Sequence, residues 1–318
     1  MAETIKGIRT ADGIAQIDYS ALANTPVLVN DNLIDNADFS INQRKQTTYT
    51  GTGTGGDRWR SQSSYLTAIW NSDNTVTLNA TSGLSSGYRA YEQTIEEADI
   101  LKGIPLTLSI LVTECSGAWR VFFGSKGTSA NRVTSSSFNT SGVYTVTGTL
   151  NADISDFAVS IVKMTNEDAS ITIAGMKLEV GTAQTLAHKD TTGAWVKNEV
   201  TVNPTSELEK CRRHLLVLNA DGKTYASVGS GMATGTTFSY IDVPLTASMR
   251  TAPTVTYTGD WRIRHGGTNM AVTKIDVFKL TENIVTLRAY ADGIVAGNAY
   301  TLLNTTDTTA KITLSAEF

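Results

Sequence analysis

Apolar residues recur at every second position in short runs of this chain, and that period restricts it to β architecture. Thr75-Val76-Thr77-Leu78-Asn79-Ala80 alternates, and so does Leu106-Thr107-Leu108-Ser109-Ile110. Trp119-Arg120-Val121-Phe122-Phe123, Val143-Tyr144-Thr145-Val146-Thr147 and Phe157-Ala158-Val159-Ser160-Ile161 follow. Successive side chains of a strand point to opposite faces, so each run can bury one face. Turn clusters such as Ser82-Gly83, Ser116-Gly117 and Ser141-Gly142 separate the runs. Short strands with a turn roughly every 8–12 residues imply a sandwich or barrel. We read these strands as one jelly-roll β-sandwich, opened near Asn32 to Trp59 and closed by Ile171 to Gly181.

A second β block begins at Thr237-Phe238-Ser239-Tyr240-Ile241-Asp242-Val243. Thr254 to Tyr257, Lys274 to Leu280, Ile284 to Ala289 and Ile312 to Phe318 continue it. Between the blocks lies the best helix pattern, Thr205 to about Leu218. Ser206 is its expected cap, Glu209 completes a capping box, and Leu208, Cys211, Leu215 and Leu218 fall on one face. Leu215-Leu216-Val217-Leu218 suits a strand equally well. Thr94 and Glu97 have the same box spacing, for about two helical turns to Leu101. The fold class is therefore all-β: a jelly-roll sandwich, a short helix, and a second, terminal β-sandwich. The divisions are an arm over 1–30, a sandwich over 31–190, a linker and helical neck over 191–220, and a terminal head over 221–318. No repeat of about 20–50 residues argues for a solenoid.

The chain has 318 residues, 41% of them hydrophobic, so it can build sizeable cores. Charged residues are only 18%, below the usual quarter, and the net charge is −4. No basic stripe appears, which disfavours nucleic acid as a partner. Cys115 and Cys211 form no disulfide framework. Met1 to Lys6 lacks the apolar run of a signal peptide, and no run of about 18 apolar residues implies membrane insertion.

Enzyme signatures are thin. Gly83-Leu84-Ser85-Ser86-Gly87 matches a nucleophile elbow formally, but Tyr88-Arg89-Ala90-Tyr91 reads as strand where the elbow needs a helix. Gly51, Gly53, Gly55 and Gly56 lack the following Lys-Ser/Thr of a phosphate loop. His188, His214 and His265 show no zinc spacing. Glu96, Glu97 and Asp99 suit a surface helix. Asp57 and Arg58 are expected to pair or to cap the loop Gly51–Gly56. Glu179 is expected as a buried carboxylate bonded by that same region. Trp59 reads as a core residue in preference to a stacking one.

Several segments resemble the jelly-roll module of bacteriophage and prophage tail fibres, which is similar in fold to carbohydrate-binding modules. They are Asn32-Leu33-Ile34-Asp35-Asn36-Ala37-Asp38-Phe39, Ile41-Asn42-Gln43-Arg44 and Asp57-Arg58-Trp59, closed by Lys177-Leu178-Glu179-Val180-Gly181-Thr182-Ala183-Gln184-Thr185. Glu207-Leu208-Glu209-Lys210-Cys211-Arg212-Arg213-His214 resembles the same family, where an aromatic often replaces His214. Val243 to Val255 resembles the opening of a terminal fibre domain, and Gly13-Ile14-Ala15-Gln16-Ile17-Asp18-Tyr19 a fibre's attachment arm. The resemblance implies a homotrimer at a virion tail, made in the bacterial cytoplasm without a signal peptide. Its partners would be tail or baseplate proteins through residues 1–30 and a host-surface polysaccharide or teichoic-acid-like glycan. It implies no cofactor beyond the structural calcium ion that related modules often carry, for which the sequence shows no ligand cluster.

Glycan binding needs flat aromatic faces and planar polar groups. Tyr257, Asp260, Trp261, Arg262, Arg264 and His265 supply these in one loop-rich segment. Trp261 would stack, Asp260 would bind hydroxyls, and Arg262, Arg264 and His265 would meet an acidic sugar or phosphate. The same residues also read as an edge strand with a solvated charged face. Trp70, Tyr88 and Trp119 are the sandwich's own candidates, each also readable as core. The expected function is glycan-dependent adsorption without catalysis. The alternatives are a structural adaptor that binds no sugar and a polysaccharide depolymerase.

Overall fold

The alternating runs fold as strands in a computed structural model of the chain. The structure describes residues 31–53, 55–83, 90–96, 101–126, 129–150, 154, 156–198 and 203–317. The expected arm over 1–30, Tyr88, Leu84 to Gly87 of the elbow, and Glu97 and Asp99 lie outside these residues. The first strands are β1 (Thr48–Thr50), β2 (Arg60–Ser61), β3 (Leu66–Trp70), β4 (Val76–Ala80), β5 (Ala90–Thr94), β6 (Pro105–Ser116) and β7 (Trp119–Ser125). β8 (Arg132–Thr134), β9 (Gly142–Thr149), β10 (Phe157–Lys163) and β11 (Ala169–Val180) complete the set. They form two antiparallel sheets, ordered β1-β3-β4-β11-β6-β9 and β2-β5-β10-β7-β8.

Period-two burial fills the space between the sheets. Leu66, Ala68, Trp70, Leu78, Leu108 and Ile110 from one sheet share a core with Tyr91, Val121, Phe123, Val159 and Ile161 from the other. Burying each large side chain contributes roughly 1.5–3 kcal/mol. Trp59 is buried here too, stacked on Tyr91 with centroids 5.5 Å apart. Its Nε1 donates to the Asn36 carbonyl at 3.1 Å.

The opening segment and the last strand meet, as expected, although the opening is a series of turns and not a strand. Asn32 Nδ2 donates to the Met176 carbonyl at 3.0 Å, and Asn32 Oδ1 accepts from the Leu178 amide at 3.1 Å. The Leu33 amide donates to the Leu178 carbonyl at 2.8 Å. β11 is bulged between Ile173 and Gly175, and the next amide, Met176, turns to the Ala37 carbonyl at 2.9 Å. A bulge that frees an amide for a crossing segment is a normal use of that irregularity. Glu179 is buried, but its partners correct the expectation. It accepts from the Thr185 amide at 2.7 Å and lies 3.4 Å from Lys177 Nζ, both local to the closing segment.

After β11 a hairpin of β12 (Ala187–Lys189) and β13 (Trp195–Lys197) returns onto the sandwich. Leu186 and Ala187 pack on Leu111 of β6. The helix that follows, α1 (Pro204–Arg212), is shorter than expected and differently capped. Asn203 Oδ1 accepts from the Thr205 amide at 3.0 Å and the Ser206 amide at 3.3 Å. Pro204 occupies the first helical position, where its fixed φ and missing N–H cost nothing, so the cap must precede it and cannot be Ser206. Replacing Asn203 with alanine is expected to lower stability by about 1 kcal/mol. Chemical denaturation of the two forms measures this.

The helix stops because Leu215–Leu218 pairs elsewhere. That run is β14 (Leu215–Leu218), antiparallel to β22 (Lys311–Ser315). Between them in the chain come β15 (Ser227–Met232), β16 (Phe238–Pro244), β17 (Thr254–Thr258), β18 (Trp261–His265), β19 (Thr268–Leu280), β20 (Ile284–Ala291) and β21 (Ala299–Asn304). β14-β22-β17 is one sheet, and β15-β16-β20-β19-β18-β21 closes into a barrel. Ile312 and Leu314 share one core with Trp261, Ile263, Leu287 and Leu302. Two layers therefore face each other as in a sandwich, but one layer is closed, which period-two patterning does not distinguish.

The motif residues Gln43, Asp57 and Arg58 build the junction between the two β units. Asp57 neither pairs with Arg58 nor caps the glycine loop. It accepts from the Gln43 amide at 2.8 Å and Gln43 Nε2 at 2.5 Å. The same Nε2 donates to the Leu215 carbonyl of β14 at 2.6 Å. Arg58 holds φ at +70°, a costly angle for a residue with a Cβ, and three partners fix it there. Its Nε donates to Asp35 at 2.9 Å, Nη2 to the Thr94 carbonyl at 2.8 Å, and Nη1 to His214 Nδ1 at 3.0 Å. Arginine has no acceptor, so His214 Nδ1 is unprotonated. Burial, and then the charges of Arg58, Arg250 and Arg213, push the His214 imidazole down to about 3. Burial pushes the Asp57 carboxyl up to about 6 despite the hydrogen bonds from Gln43.

Candidate functional site

The segment expected to bind glycan does not assemble into one surface. β18 alternates, with Trp261 and Ile263 facing the barrel core and Arg262 and Arg264 facing out. Trp261 is 2% exposed, and its Nε1 donates to the Thr258 carbonyl at 3.0 Å. Adjacent residues of a strand cannot share a face, so its ring cannot stack beside those arginines. Asp260 is solvated, 3.9 Å from Arg262, while its amide donates to Asp307 at 2.8 Å. Tyr257 donates through its hydroxyl to the Thr273 carbonyl at 3.3 Å, and His265 Nδ1 lies 2.9 Å from the Ala299 carbonyl. Trp70 and Trp119 are core residues, bonded to the Tyr91 hydroxyl at 3.2 Å and the Ser116 carbonyl at 2.9 Å. Tyr88 lies outside the described residues.

A different face of the barrel gathers outward-facing rings, with Phe278 exposed and Phe238, Tyr240 and Tyr290 half-buried. β16 buries Ser239, Ile241 and Val243, which leaves Phe238 and Tyr240 on the outer wall. β20 buries Leu287 and Ala289, which leaves Arg288 and Tyr290 outside. Register then sets the rows: Phe238 opposite Tyr290 opposite Lys274, and Tyr240 opposite Arg288 opposite Asp276. Phe278, two residues after Asp276, faces outward by alternation and is 51% exposed, and the register shift between Val277 and Lys279 of β19 turns Lys279 to the same face. Phe278 meets Tyr240 at 4.8 Å, and Phe238 lies 5.2 Å from both Tyr240 and Tyr290. The rings are tilted by 53–81° to one another, so they form a cup and not a stack.

Arg288 stands within this cup. Its guanidinium carbon lies 5.6 Å from the ring centres of Phe238 and Phe278 and 5.9 Å from that of Tyr290. Each such contact is worth about 0.5–1 kcal/mol at an exposed site. Asp276 Oδ1 accepts from Arg288 Nε at 2.7 Å. Asp276 Oδ2 lies 2.9 Å from Lys274 Nζ and accepts from the Tyr290 hydroxyl at 3.3 Å. Partial burial pushes the Asp276 carboxyl up, but hydrogen bonds from Lys274 and Arg288 more than reverse this and hold it below the usual range. With strands about 4.8 Å apart and alternate residues about 7 Å apart, the two rows cover about 10 by 7 Å. That is the scale of a disaccharide.

The sequence does carry a trace of this site. Phe238-Ser239-Tyr240, Asp276-Val277-Phe278 and Arg288-Ala289-Tyr290 each place aromatic or charged residues two apart. What the sequence lacks is the pairing that brings the three fragments together. The junction cleft of about 370 Å³ is a poorer candidate, because its charged walls already satisfy one another. Asp35 meets Arg58 at 2.9 Å, Lys210 meets Glu207 at 3.2 Å, and Glu96 meets Arg213 at 3.4 Å. Among the described residues no group of three or more His, Cys, Asp or Glu is placed to hold a metal ion.

No family model and no curated protein matches the chain. Solved structures that resemble it include a mutant of a family 29 carbohydrate-binding module, at 10% identity and TM-score 0.29 over 42% of this chain and 91% of that one. A family 11 module from Clostridium thermocellum, in complex with a β-1,3-1,4-mixed-linked tetrasaccharide, matches at 13% identity and TM-score 0.30, over 48% of this chain and 96% of that one. The tandem pair of family 22 modules from Paenibacillus barcinonensis Xyn10C matches at 9% identity and TM-score 0.32, over 90% and 97% of the two chains. Superpositions this loose transfer no ligand and no residue role. The all-β architecture rests on the strands themselves.

Proposed function

We propose that this chain is a receptor-binding protein of a phage or prophage tail fibre, and that it holds host-surface glycan on the aromatic wall of its terminal barrel without cutting it. The observation that carries the reading is the cup of Phe238, Tyr240, Phe278 and Tyr290 around the Arg288–Asp276 pair. Exposed rings offer C–H contacts to sugar faces, and fixed charged groups orient the hydroxyls. A contiguous patch of rings on an outer wall, with Phe278 51% exposed, marks an interaction site. Cleavage would need a carboxylic acid that holds its proton at neutral pH beside a second carboxylate. Asp276 is instead held ionised by its cationic neighbours.

The tail-fibre assignment comes from the motifs of residues 32–59, 177–185 and 207–214. The homotrimer and the attachment arm belong to the same reading. Three weak sites on one rigid head, and many heads per particle, gain affinity when engaged together. The test is a glycan array and a host-cell adsorption assay with the full chain, in wild-type, Tyr240→Ala and Phe278→Ala forms. Losing one ring of a small site typically costs about 2 kcal/mol, so adsorption should weaken roughly thirtyfold. Phe278 is half in solvent, so its removal should leave the melting temperature unchanged. Silence of the wild-type chain in both assays would sink the proposal and favour a structural adaptor. Release of oligosaccharide from host polysaccharide would favour a depolymerase.

A further inference from the structure

Within the cup, Asp276 is engaged by its neighbours while part of Arg288 is not. Both oxygens of Asp276 are occupied, one by Arg288 Nε and the other by Lys274 Nζ and the Tyr290 hydroxyl. A free carboxylate is the usual acceptor for sugar hydroxyls, and this one already accepts from three groups of the wall. Arg288 is different. Its Nε donates to Asp276, and the N–H groups of both Nη atoms have no protein acceptor among the described residues. The side chain is 31% exposed, so solvent reaches that fork. Rings on several sides and the bond to Asp276 fix its orientation in advance of any ligand, which lowers the ordering cost of binding.

Charge points the same way. Arg288 and Lys274 against Asp276 leave one net positive charge on the two ring rows. In the next row Asp242 and Lys279 flank Thr286 and cancel. The Lys274 side chain is 60% exposed and its Nζ stands 5.1 Å from the Tyr290 ring centre. A planar, pre-oriented guanidinium matches a carboxylate or a phosphate with two parallel hydrogen bonds, which a neutral hydroxyl cannot do.

We propose that this site selects acidic glycans, with the Arg288 fork gripping a carboxylate or phosphate while the rings hold the adjoining sugar. The proposal rests on the glycan-binding reading above. It is tested with the full chain on an array of oligogalacturonate, sialyllactose and a glycerol-phosphate oligomer, each beside a neutral counterpart of the same length. Wild type should bind at least one acidic member at least tenfold more strongly than its neutral partner. Arg288→Gln should lose that preference while remaining folded at the assay temperature by circular dichroism, and Arg288→Lys should recover only part of it. Lys274→Ala, at an exposed position, should weaken acidic binding about twofold and guards against a folding defect at Arg288. Equal binding of neutral and acidic members, unaffected by Arg288→Gln but lost in Tyr240→Ala, would overturn the acidic assignment and leave glycan binding standing. No binding to the array together with no adsorption to cells would remove both.

Discussion

Alanine at Trp59 is expected to lower the unfolding free energy of the sandwich by about 3–5 kcal/mol, the range for deleting a large buried ring. The loss has several sources. The indole stacks on Tyr91 at 5.5 Å and tilts against Phe39 at 5.4 Å, so its removal leaves a cavity between the sheets. Its Nε1 also satisfies the Asn36 carbonyl. Asn36 in turn closes the opening loop, with Oδ1 on the Ile41 amide at 2.9 Å and Nδ2 on the carbonyls of Ile41 at 2.8 Å and Asp57 at 3.1 Å. Trp59→Phe keeps part of the volume and loses the donor, so it should fall between the two. Chemical denaturation checks this. A loss under 1 kcal/mol for the alanine form would show that the ring is not the anchor of this core.

The second large effect is a pair of opposed pH dependences at the junction. His214 titrates in the folded chain near 3, against 6.5 unfolded, so folding keeps it neutral. Its contribution is full above about pH 6.5 and is lost as pH falls toward 3. Asp57 titrates near 6, against 3.8 unfolded, so folding favours its protonated form. Its contribution is full below about 3.8 and is lost as pH rises through 6. Between pH 6 and 4 the folded chain has taken up a proton at Asp57 that the unfolded chain lacks, and lacks one at His214 that the unfolded chain holds. Each slope is about 1.4 kcal/mol per pH unit, and the signs cancel.

Single substitutions expose the two slopes. Relative to wild type, Asp57→Asn should lose stability steadily on acidification from pH 6 to 4. His214→Gln should gain it over the same interval. Urea midpoints across that interval read both. Parallel curves for wild type and both variants would mean that neither group is coupled to folding in the way described.

How much of this was readable from residues alone depends on the range of the interaction. Strands were legible because period two is local: β3 and β4 bury every second residue as written. The helix end was not, because Leu215–Leu218 has no local preference and takes its state from pairing with β22. Barrel closure was hidden for a related reason, since closed and open antiparallel sheets share one pattern. The junction is the extreme case. Gln43 and the Leu215 carbonyl lie 172 positions apart, and nothing near either residue announces the other. Trp261 failed as a site residue through a period argument that was available from the start. The rings at Phe238, Tyr240, Phe278 and Tyr290 needed cross-strand register before they became a site.

The junction also sets how the chain behaves under tension. A flexible linker stores little energy when bent and passes little torque from one end to the other. Here, turning the terminal barrel away from the sandwich would pull Gln43 from Leu215 and Arg58 from His214, and would separate Arg44 from Glu317, now 2.6 Å apart. A hydrogen bond to a charged group contributes about 1.5–3 kcal/mol and a neutral one about 1 kcal/mol. These contacts therefore oppose bending at the junction. A pull applied to the barrel wall is resisted at the sandwich by these contacts and is not taken up as slack.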